Sequence, residues 1–179
     1  MTLVKSEALR AHVRDIPGFP KPGIVFRDVT PLFADAEALR AATEALAGYA
    51  TDVGAEYVVS AEARGFVLGG AIAARIGAGF AVARKPGRLP RHTDSVEYQL
   101  EYGRDALEMH SDALPDGARV LVHDDLLATG GTAEALCGLV DRAGAEVAGC
   151  AFVIELAFLK GRERLGPRDV HSLISYDSE

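Results

Sequence analysis

The sequence predicts an α/β fold in which a central, mainly parallel sheet is flanked by helices. Apolar strand-like runs alternate along the chain with stretches whose apolar residues recur at helical spacing, an order typical of parallel sheets. The strand-like runs are residues 57–60, 79–83, 119–123 and 147–156. The helix-like stretches are residues 35–50, 66–76 and 132–142. Because ligands of such sheets bind at the carboxyl ends of the strands, functional residues are expected where strands pass into helices.

Length and composition favour one globular domain spanning residues 1–179. The chain is 49% hydrophobic and 25% charged, and no apolar run reaches transmembrane length. Its first residues, MTLVKSE, lack the charged-then-apolar pattern of a secretory signal, so we expect a cytoplasmic protein without a membrane partner. The formal net charge of -7 argues against nucleic acid as the main partner.

Two segments depart from the alternating order. Residues 16–31 contain four prolines and cannot form a continuous helix, so the region of about residues 1–33 is predicted to be an irregular N-terminal cap. Residues 89–103 are polar, charged and longer than a simple connection requires, with weak alternation at residues 96–102. Loops of that length are often lids, and we expect a flexible lid loop here.

Residues 120–132, with the sequence VLVHDDLLATGGT, combine a strand, a glycine-rich loop and the start of a helix. Gly130 and Gly131 permit backbone angles that let successive N–H groups converge on one anion. Thr129 and Thr132 add hydroxyl donors, and the helix adds the positive end of its dipole. We therefore predict a phosphate cradle. Neither a P-loop nor a GxGxxG dinucleotide motif matches, since Thr132 follows Gly131 where a P-loop carries lysine.

Two carboxylates, Asp124 and Asp125, directly precede the cradle. Because carboxylates repel a phosphate, their position predicts a ligand that also offers hydroxyl groups or a divalent cation, as a sugar phosphate does. A receiver-type phosphoacceptor domain also uses an acid pair, but it leaves the cradle without a role. His123 is expected to be a neutral, satisfied histidine at a strand end, and Cys137 and Cys150 to be buried thiols.

A second strand-to-helix corner lies at residues 60–66, SAEARGF. Arg64 stands where the helix begins, an unfavourable place for a cation, which indicates that it meets an anion. Four cations fall within eight positions further along the chain: Arg84, Lys85, Arg88 and Arg91. Such a local cluster on an acidic protein suits a small polyanion.

The two acids and the ATGGT loop together resemble the phosphoribosyl diphosphate (PRPP) motif of the type I phosphoribosyltransferase family. Further segments, which span nearly the whole chain, resemble the adenine phosphoribosyltransferase branch of that family. They are FPKPGIVFRDVTP at residues 19–31, EARGF at 62–66, RK at 84–85, LEYG at 100–103 and LKGRERL at 159–165. Small departures are SA at residues 60–61 and RHTD at residues 91–94.

The resemblance implies transfer of the 5-phosphoribosyl group from PRPP to N9 of adenine, giving AMP and pyrophosphate in purine salvage. It assigns Asp124 and Asp125 to the ribose hydroxyls. The loop would bind the 5-phosphate through Ala128, Thr129, Gly130, Gly131 and Thr132. Four cations would hold the pyrophosphate: Arg64, Arg84, Lys85 and Arg88. The implied cofactor is Mg²⁺, held mainly through PRPP, and no protein ligand is assigned to it.

The same resemblance places adenine in the N-terminal cap. The Val25 carbonyl would accept from the adenine amine and the Arg27 N–H would donate to N1, an arrangement that hypoxanthine reverses. Phe26 and Leu156 would sandwich the base. Glu101 on the lid would act at the purine N7 edge as the catalytic acid or base.

Two alternatives stay open at this point. One is a xanthine or hypoxanthine phosphoribosyltransferase, which the cap would distinguish. The other is a non-catalytic PRPP-sensing regulator of transcription, which should carry a DNA-binding extension or a basic face. The expected partners are the small molecules adenine and PRPP, and the resemblance implies a homodimer.

Overall fold

The structure is a computed structural model that describes residues 3–99 and 104–178. Its helices are Leu3–Arg10 (α1), Thr30–Ala34 (α2), Ala36–Asp52 (α3), Gly65–Ile76 (α4), Gly131–Arg142 (α5) and Gly161–Arg164 (α6), with a 3₁₀ turn at Ala157–Leu159. Its strands are Arg14–Pro17 (β1), Val25–Asp28 (β2), Tyr57–Ala61 (β3), Gly79–Ala83 (β4), Thr93–Gln99 (β5), Arg104–His110 (β6), Arg119–Leu127 (β7), Glu146–Leu156 (β8) and Val170–Tyr176 (β9).

Five of the strands form one parallel sheet in the order β4-β3-β7-β8-β9. One face packs on α5 and the other on α3 and α4, and each face has its own cluster of buried apolar side chains. The predicted fold class, an α/β domain with a central parallel sheet between helices, is therefore confirmed.

Two features of the sheet differ from the sequence prediction. Strand β7 continues through the acid pair to Leu127 instead of ending at residue 123, because β8 pairs with it as far as Glu155. Strand β9 was not predicted at all, since its sequence VHSLISY mixes polar and apolar residues and only part of it is buried. Strand extent is here decided by the neighbouring strand more than by local sequence.

The N-terminal region is more regular than the predicted irregular cap. Strands β1 and β2 form an antiparallel hairpin in which Arg14 pairs with Asp28, and the Gly18 N–H donates to the Ile24 carbonyl at 2.7 Å. Three of the four prolines fall at the end of β1 and in the connection, where no ladder donor is needed, and Pro31 lies in the first turn of α2. Helix α1 is tied to β9 by the Ser6 hydroxyl, which donates to the Leu173 carbonyl at 2.8 Å.

The segment predicted as a lid loop, residues 89–103, contains a strand. Strands β5 and β6 pair in antiparallel register from Thr93 opposite His110 to Gln99 opposite Arg104. Val96 packs against α5 beside Gly138, which accounts for the weak alternation in the sequence. Residues 100–103, which include Glu101, lie outside the described residues.

The side chains of His123, Cys137 and Cys150 are buried in the core. The His123 Nδ1–H donates to the Ala151 carbonyl at 2.9 Å, and burial lowers the pKa of His123 to about 4. The neutral state expected for His123 is thus supported, but within the described residues its Nε2 has no hydrogen-bond partner. Cys137 and Cys150 are both buried and free, with their Sγ atoms 3.8 Å apart, as expected.

No helix within residues 3–99 and 104–178 is long and apolar enough to cross a membrane.

We expect His123 to make the protein less stable as the pH falls. The pKa is 6.5 for the ordinary side chain and about 4 in the folded chain, so between these values the unfolded state binds more protons. The free energy of unfolding should therefore decrease from pH 6.5 to pH 4, by about 3 kcal/mol from this residue. Urea unfolding at a series of pH values measures it.

His123→Val removes the titrating group, so the difference between wild type and variant isolates its contribution from that of the carboxylates. His92→Val, at an exposed position on the connection before β5, controls for loss of a histidine as such. Parallel stability curves for wild type and His123→Val between pH 4 and pH 6.5 would contradict the assignment.

Candidate active site

The parallel pairing of β3 with β7 places two strand-to-helix corners beside each other. Ser60 is the register partner of His123, so the connection to α4 and the connection to α5 leave the sheet at the same edge. Between them lies a cleft of about 210 Å³. It is lined by Arg64 and by the continuous segment from Asp124 to Ala133. The structure thus brings together the acid pair, the predicted cradle and one predicted pyrophosphate cation.

The predicted cradle has the backbone geometry of an anion site. Gly130 precedes α5 in the left-handed region at φ 86°, and no side chain of the described residues caps this helix end. The first amides of α5 therefore face the cleft without an internal partner, and the helix dipole adds positive potential there. The polar hydroxyl of Thr132 stands at the same helix end.

The floor of the cradle is the backbone of Gly161. A Cβ atom on Gly130 would lie 2.5 Å from the Gly161 carbonyl oxygen, and a Cβ atom on Gly161 would lie 2.3 Å from the Ala128 carbonyl oxygen. Both positions therefore require glycine. From the sequence, the LKGRERL segment showed only a resemblance, and no role was predicted for Gly161.

The acid pair stands at the mouth of the cleft. The Asp125 N–H donates to Asp124 Oδ1 at 3.0 Å, and a Cβ atom on Gly65 would lie 2.7 Å from that same oxygen. Gly65 is thus what allows α4 to start against the carboxylate. Loss of hydration raises the pKa of Asp124 well above its ordinary value, and the charge of Asp125 raises it further.

Asp125 is buried and pairs with Arg64, whose Nε lies 2.8 Å from Oδ2. Burial raises the pKa of Asp125, and the Arg64 charge opposes that rise. Arg64 was expected to contact an anion at the start of the helix, and in this structure that anion is the Asp125 carboxylate. The Arg64 guanidinium also lies 5.4 Å from the centroid of the Phe26 ring, which connects the acid pair to β2.

Arg84, Lys85 and Arg88 converge on Glu62. Arg84 Nη2 lies 2.8 Å from Oε2, Arg88 Nε lies 3.6 Å from Oε1, and the Lys85 N–H donates to Oε1 at 2.8 Å. Burial alone would raise the pKa of Glu62, but the bonds from Lys85 and Arg84 lower it below its ordinary value. Glu62 belongs to the EARGF segment, but the sequence predicted no role for it.

The fourth cation of the sequence cluster, Arg91, does not contact Glu62. Arg91 Nη1 lies 2.5 Å from Asp112 Oδ2, on the surface beyond β6. The Lys85 side chain reaches the hairpin instead, with Nζ 2.9 Å from Asp105 Oδ2. The structure therefore groups the side chains of two of the four clustered cations, Arg84 and Arg88, on Glu62, while the charges of Lys85 and Arg91 pair elsewhere.

The β5–β6 hairpin rests on the cradle. The Tyr98 hydroxyl lies 3.3 Å from Asp105 Oδ2 and also hydrogen-bonds to the Thr132 side chain. Arg142 Nη1 donates to the Ser95 carbonyl at 2.7 Å and ties the hairpin to the far end of α5. The predicted catalytic residue Glu101 lies outside the described residues, so its position relative to the cradle is not described.

The predicted base-binding residues lie on two elements. Val25, Phe26 and Arg27 are on β2, where Phe26 contacts Phe19 edge-on with ring centroids 5.2 Å apart. Leu156 ends β8 at the same sheet edge as the acid pair.

The Arg27 side chain is turned into the protein. It pairs with Asp15 at 2.5 Å and stacks over the Tyr176 ring at 4.2 Å. Arg27 therefore anchors β2 through its side chain, so a role in base recognition falls to its backbone.

Comparison with known proteins agrees with this geometry. The phosphoribosyl transferase domain family matches residues 33–176. The adenine phosphoribosyltransferase of Rubrobacter xylanophilus is 56% identical over 171 residues, covering 95% of this chain and 92% of that protein. The crystal structure of the Thermoanaerobacter pseudethanolicus adenine phosphoribosyltransferase superposes with a TM-score of 0.93 at 46% identity, covering 96% and 99% of the two chains.

A second solved structure is the Saccharomyces cerevisiae adenine phosphoribosyltransferase complexed with D-2,5-dideoxy-2,5-imino-altritol 1,6-bisphosphate and adenine. It superposes with a TM-score of 0.91 at 34% identity, covering 96% of this chain and 99% of that one. Since both the family profile and the sequence identity extend over most of its length, the chain belongs to the adenine phosphoribosyltransferase family.

Proposed function

We propose that this protein transfers the 5-phosphoribosyl group from PRPP to N9 of adenine, giving AMP and pyrophosphate. The observation that carries the proposal is the position of the acid pair between the uncapped N-terminus of α5 and Arg64, with Arg84 and Arg88 following β4 at the same edge of the sheet. A ligand that satisfies all three must carry a phosphate at one end, hydroxyl groups in the middle and a second polyanion at the other side. PRPP has this order of groups.

In the proposed complex, the amides of residues 128–132 bind the 5-phosphate, and Asp124 and Asp125 accept hydrogen bonds from the ribose hydroxyls. Carboxylates beside the ribose also favour the positive charge that develops on the sugar ring as the anomeric bond breaks. The raised pKa values of both acids reflect two carboxylates in one poorly hydrated place. Ribose hydroxyls supply hydrogen bonds that stabilise their ionised forms.

The pyrophosphate would be held by Arg64, Arg84, Lys85 and Arg88, which stabilise the leaving group as its negative charge grows. An acid pair with raised pKa values fits a cation nearby, so Mg²⁺ bound through PRPP oxygens beside Asp124 and Asp125 would add positive charge at the leaving group. Within residues 3–99 and 104–178, no group of three or more His, Cys, Asp or Glu residues forms a metal site.

Adenine would lie against Phe26 and Leu156, with its amine on the Val25 carbonyl and N1 on the Arg27 N–H. Two supports are the contact of the Phe26 ring with Arg64 and the anchoring of Arg27 by Asp15 and Tyr176. A hypoxanthine or xanthine enzyme would need the opposite donor and acceptor at the amine and N1 positions. A PRPP-sensing regulator is the remaining alternative, and it would bind PRPP without turnover.

An assay with PRPP, Mg²⁺ and each purine base in turn tests this function. We expect kcat/KM for adenine to exceed that for hypoxanthine by 10⁴-fold or so, because the wrong base leaves buried polar groups unpaired. Formation of AMP is followed by absorbance. Comparable rates with both bases would favour the hypoxanthine enzyme, and PRPP binding without turnover would favour the regulator.

Replacement of either acid should slow the reaction without unfolding the chain. Asp124→Asn and Asp125→Asn keep shape but lose charge, so each should cost about 2 to 4 kcal/mol of transition-state stabilisation, measured as the fall in kcat/KM for PRPP. Asp141→Asn is the matched control, since Asp141 pairs with Arg168 on the surface of α5. Wild-type kcat/KM in both acid variants would remove them from the site.

Glu101 is proposed to manage the proton at the purine N7 edge. Glu101→Gln keeps a hydrogen-bonding group but cannot transfer a proton, so kcat should fall about 10²-fold or more and its pH profile should lose one limb. PRPP affinity should change little. An unaltered pH profile with wild-type kcat would reduce Glu101 to a positioning role.

We further propose that the protein acts in the cytoplasm as a homodimer. Strand β4 is an edge of the sheet, and Phe80 on this strand and Val67 on α4 are large apolar side chains that remain 36% and 45% exposed. An edge strand with such a surface is favoured as an interface. Sedimentation velocity measures the mass, and a monomer at micromolar concentration would refute the dimer.

A further inference from the structure

We propose that the ion pair between Glu155 and Arg162 positions the phosphate cradle, acting through the backbone of Gly161. Neither residue faces the cleft described above, so the pair is a positioning device and not a contact to substrate. The inference rests on the proposed function, because it assigns the 5-phosphate to the cradle. It adds two residues that determine how firmly the cradle is held.

The pair is bidentate and anchored in the sheet. Arg162 Nε donates to Glu155 Oε1 at 2.5 Å, and Nη2 donates to Oε2 at 2.7 Å. Glu155 is buried near the end of β8. Burial alone would raise its pKa, but the bonds from Arg162 and Ser172 and the Arg162 charge bring the pKa of Glu155 below its ordinary value. A buried carboxylate held in this way leaves a large penalty if its partner is removed.

Arg162 also joins two strands. Its Nη1 donates to the Val170 carbonyl at 2.7 Å, and its Nη2 lies 3.5 Å from the Ser172 hydroxyl, both on β9. One side chain thus connects α6 with the ends of β8 and β9. Helix α6 has only four residues and little hydrogen bonding of its own, so its place depends on such anchors.

Gly161 immediately precedes Arg162 and is pressed against the cradle. Its carbonyl oxygen would be 2.5 Å from a Cβ on Gly130, and its own Cβ would be 2.3 Å from the Ala128 carbonyl. No side chain intervenes between the two backbones. Any shift of Gly161 toward or away from the sheet therefore either pushes on residues 128–130 or leaves them unsupported.

A shift of this kind should affect phosphate binding first. An anion held by several backbone amides depends on their mutual placement, and misplacement by about 1 Å weakens such sites strongly. Adenine, by contrast, would be held by β2 and Leu156. A pair that served only to stabilise the fold would alter the melting temperature and leave the balance between the two substrates unchanged.

Steady-state kinetics with both substrates varied tests the proposal. Arg162→Ala should raise KM for PRPP by about 10-fold or more and change KM for adenine by less than twofold. Arg162→Lys can make only one of the two bonds to Glu155, so its KM for PRPP should rise at least threefold but less than in Arg162→Ala. Arg75→Ala, which removes a surface arginine paired with Glu44 at the far end of α4, is the matched control and should behave as wild type.

A double-mutant cycle with Gly161→Ala tests the route of the effect. The added Cβ crowds Ala128 directly, so Gly161→Ala alone should also raise KM for PRPP. If both changes act through the same backbone contact, the effect of the double variant on KM for PRPP will be well below the product of the single effects. Multiplicative effects would overturn the proposal. Isothermal titration with ribose 5-phosphate should show the same pattern in the absence of catalysis.

The outcomes separate this inference from the proposed function. If wild type fails to convert adenine and PRPP, the proposed function fails. If wild type is active but Arg162→Ala lowers only the melting temperature and keeps the wild-type KM for PRPP, the positioning role fails. If Arg162→Ala does not fold, the Arg162→Lys variant decides, and an unchanged KM for PRPP in that variant overturns the inference.

Discussion

The parallel pairing of β3 with β7 is the constraint on which the site depends. It makes Ser60 the neighbour of His123 and so brings two connections, which are about sixty residues apart in sequence, out of the sheet side by side. One connection contributes Arg64 and the other the acid pair with the cradle. Without that register, the Arg64–Asp125 bond and the shared cleft could not form.

Close approach of backbones is the second constraint. At Gly65, Gly130 and Gly161 a Cβ atom would lie between 2.3 and 2.7 Å from an oxygen atom of the facing segment. Each of these positions sits where a helix or loop must meet another without a side chain between them. The local conformation requires glycine in one of the three, Gly130 at φ 86°, while at Gly65 and Gly161 the space alone requires it. The absence of a side chain at these three positions therefore determines the shape of the cleft.

Local patterns in the sequence were sufficient to predict the fold class, four of the five strands of the sheet and the two corners, because apolar runs and glycine-rich turns depend on nearby residues. Elements that depend on distant partners were not predictable in that way. Strand β9 and the extension of β7 depend on pairing with β8, and the β5–β6 hairpin depends on packing of Val96 against α5. A window of sequence contains no information on such partners.

The site residues show the same difference between local patterns and contacts with distant parts of the chain. Asp124, Asp125 and the cradle belong to one short segment and could be recognised together. Glu62 and Gly161 act through residues more than twenty positions away, Glu62 on Arg84 and Gly161 on Gly130. Both residues lie in segments that resemble the family, EARGF and LKGRERL, but that resemblance does not reveal what either residue contacts.

Charge compensation explains how an acidic chain can keep a site for a polyanion. In this structure each proposed pyrophosphate cation already has a carboxylate: Arg64 has Asp125, Arg84 and Arg88 share Glu62, and Lys85 has Asp105. These pairs hold long side chains in place before a ligand arrives, which reduces the entropy that binding must overcome. A bound polyanion then competes with the carboxylates for the same cations. Of these carboxylates, Asp105 belongs to the hairpin and Asp125 to the proposed ribose site, so exchange of partners at Lys85 and Arg64 links ligand binding to the hairpin and to the acid pair at once.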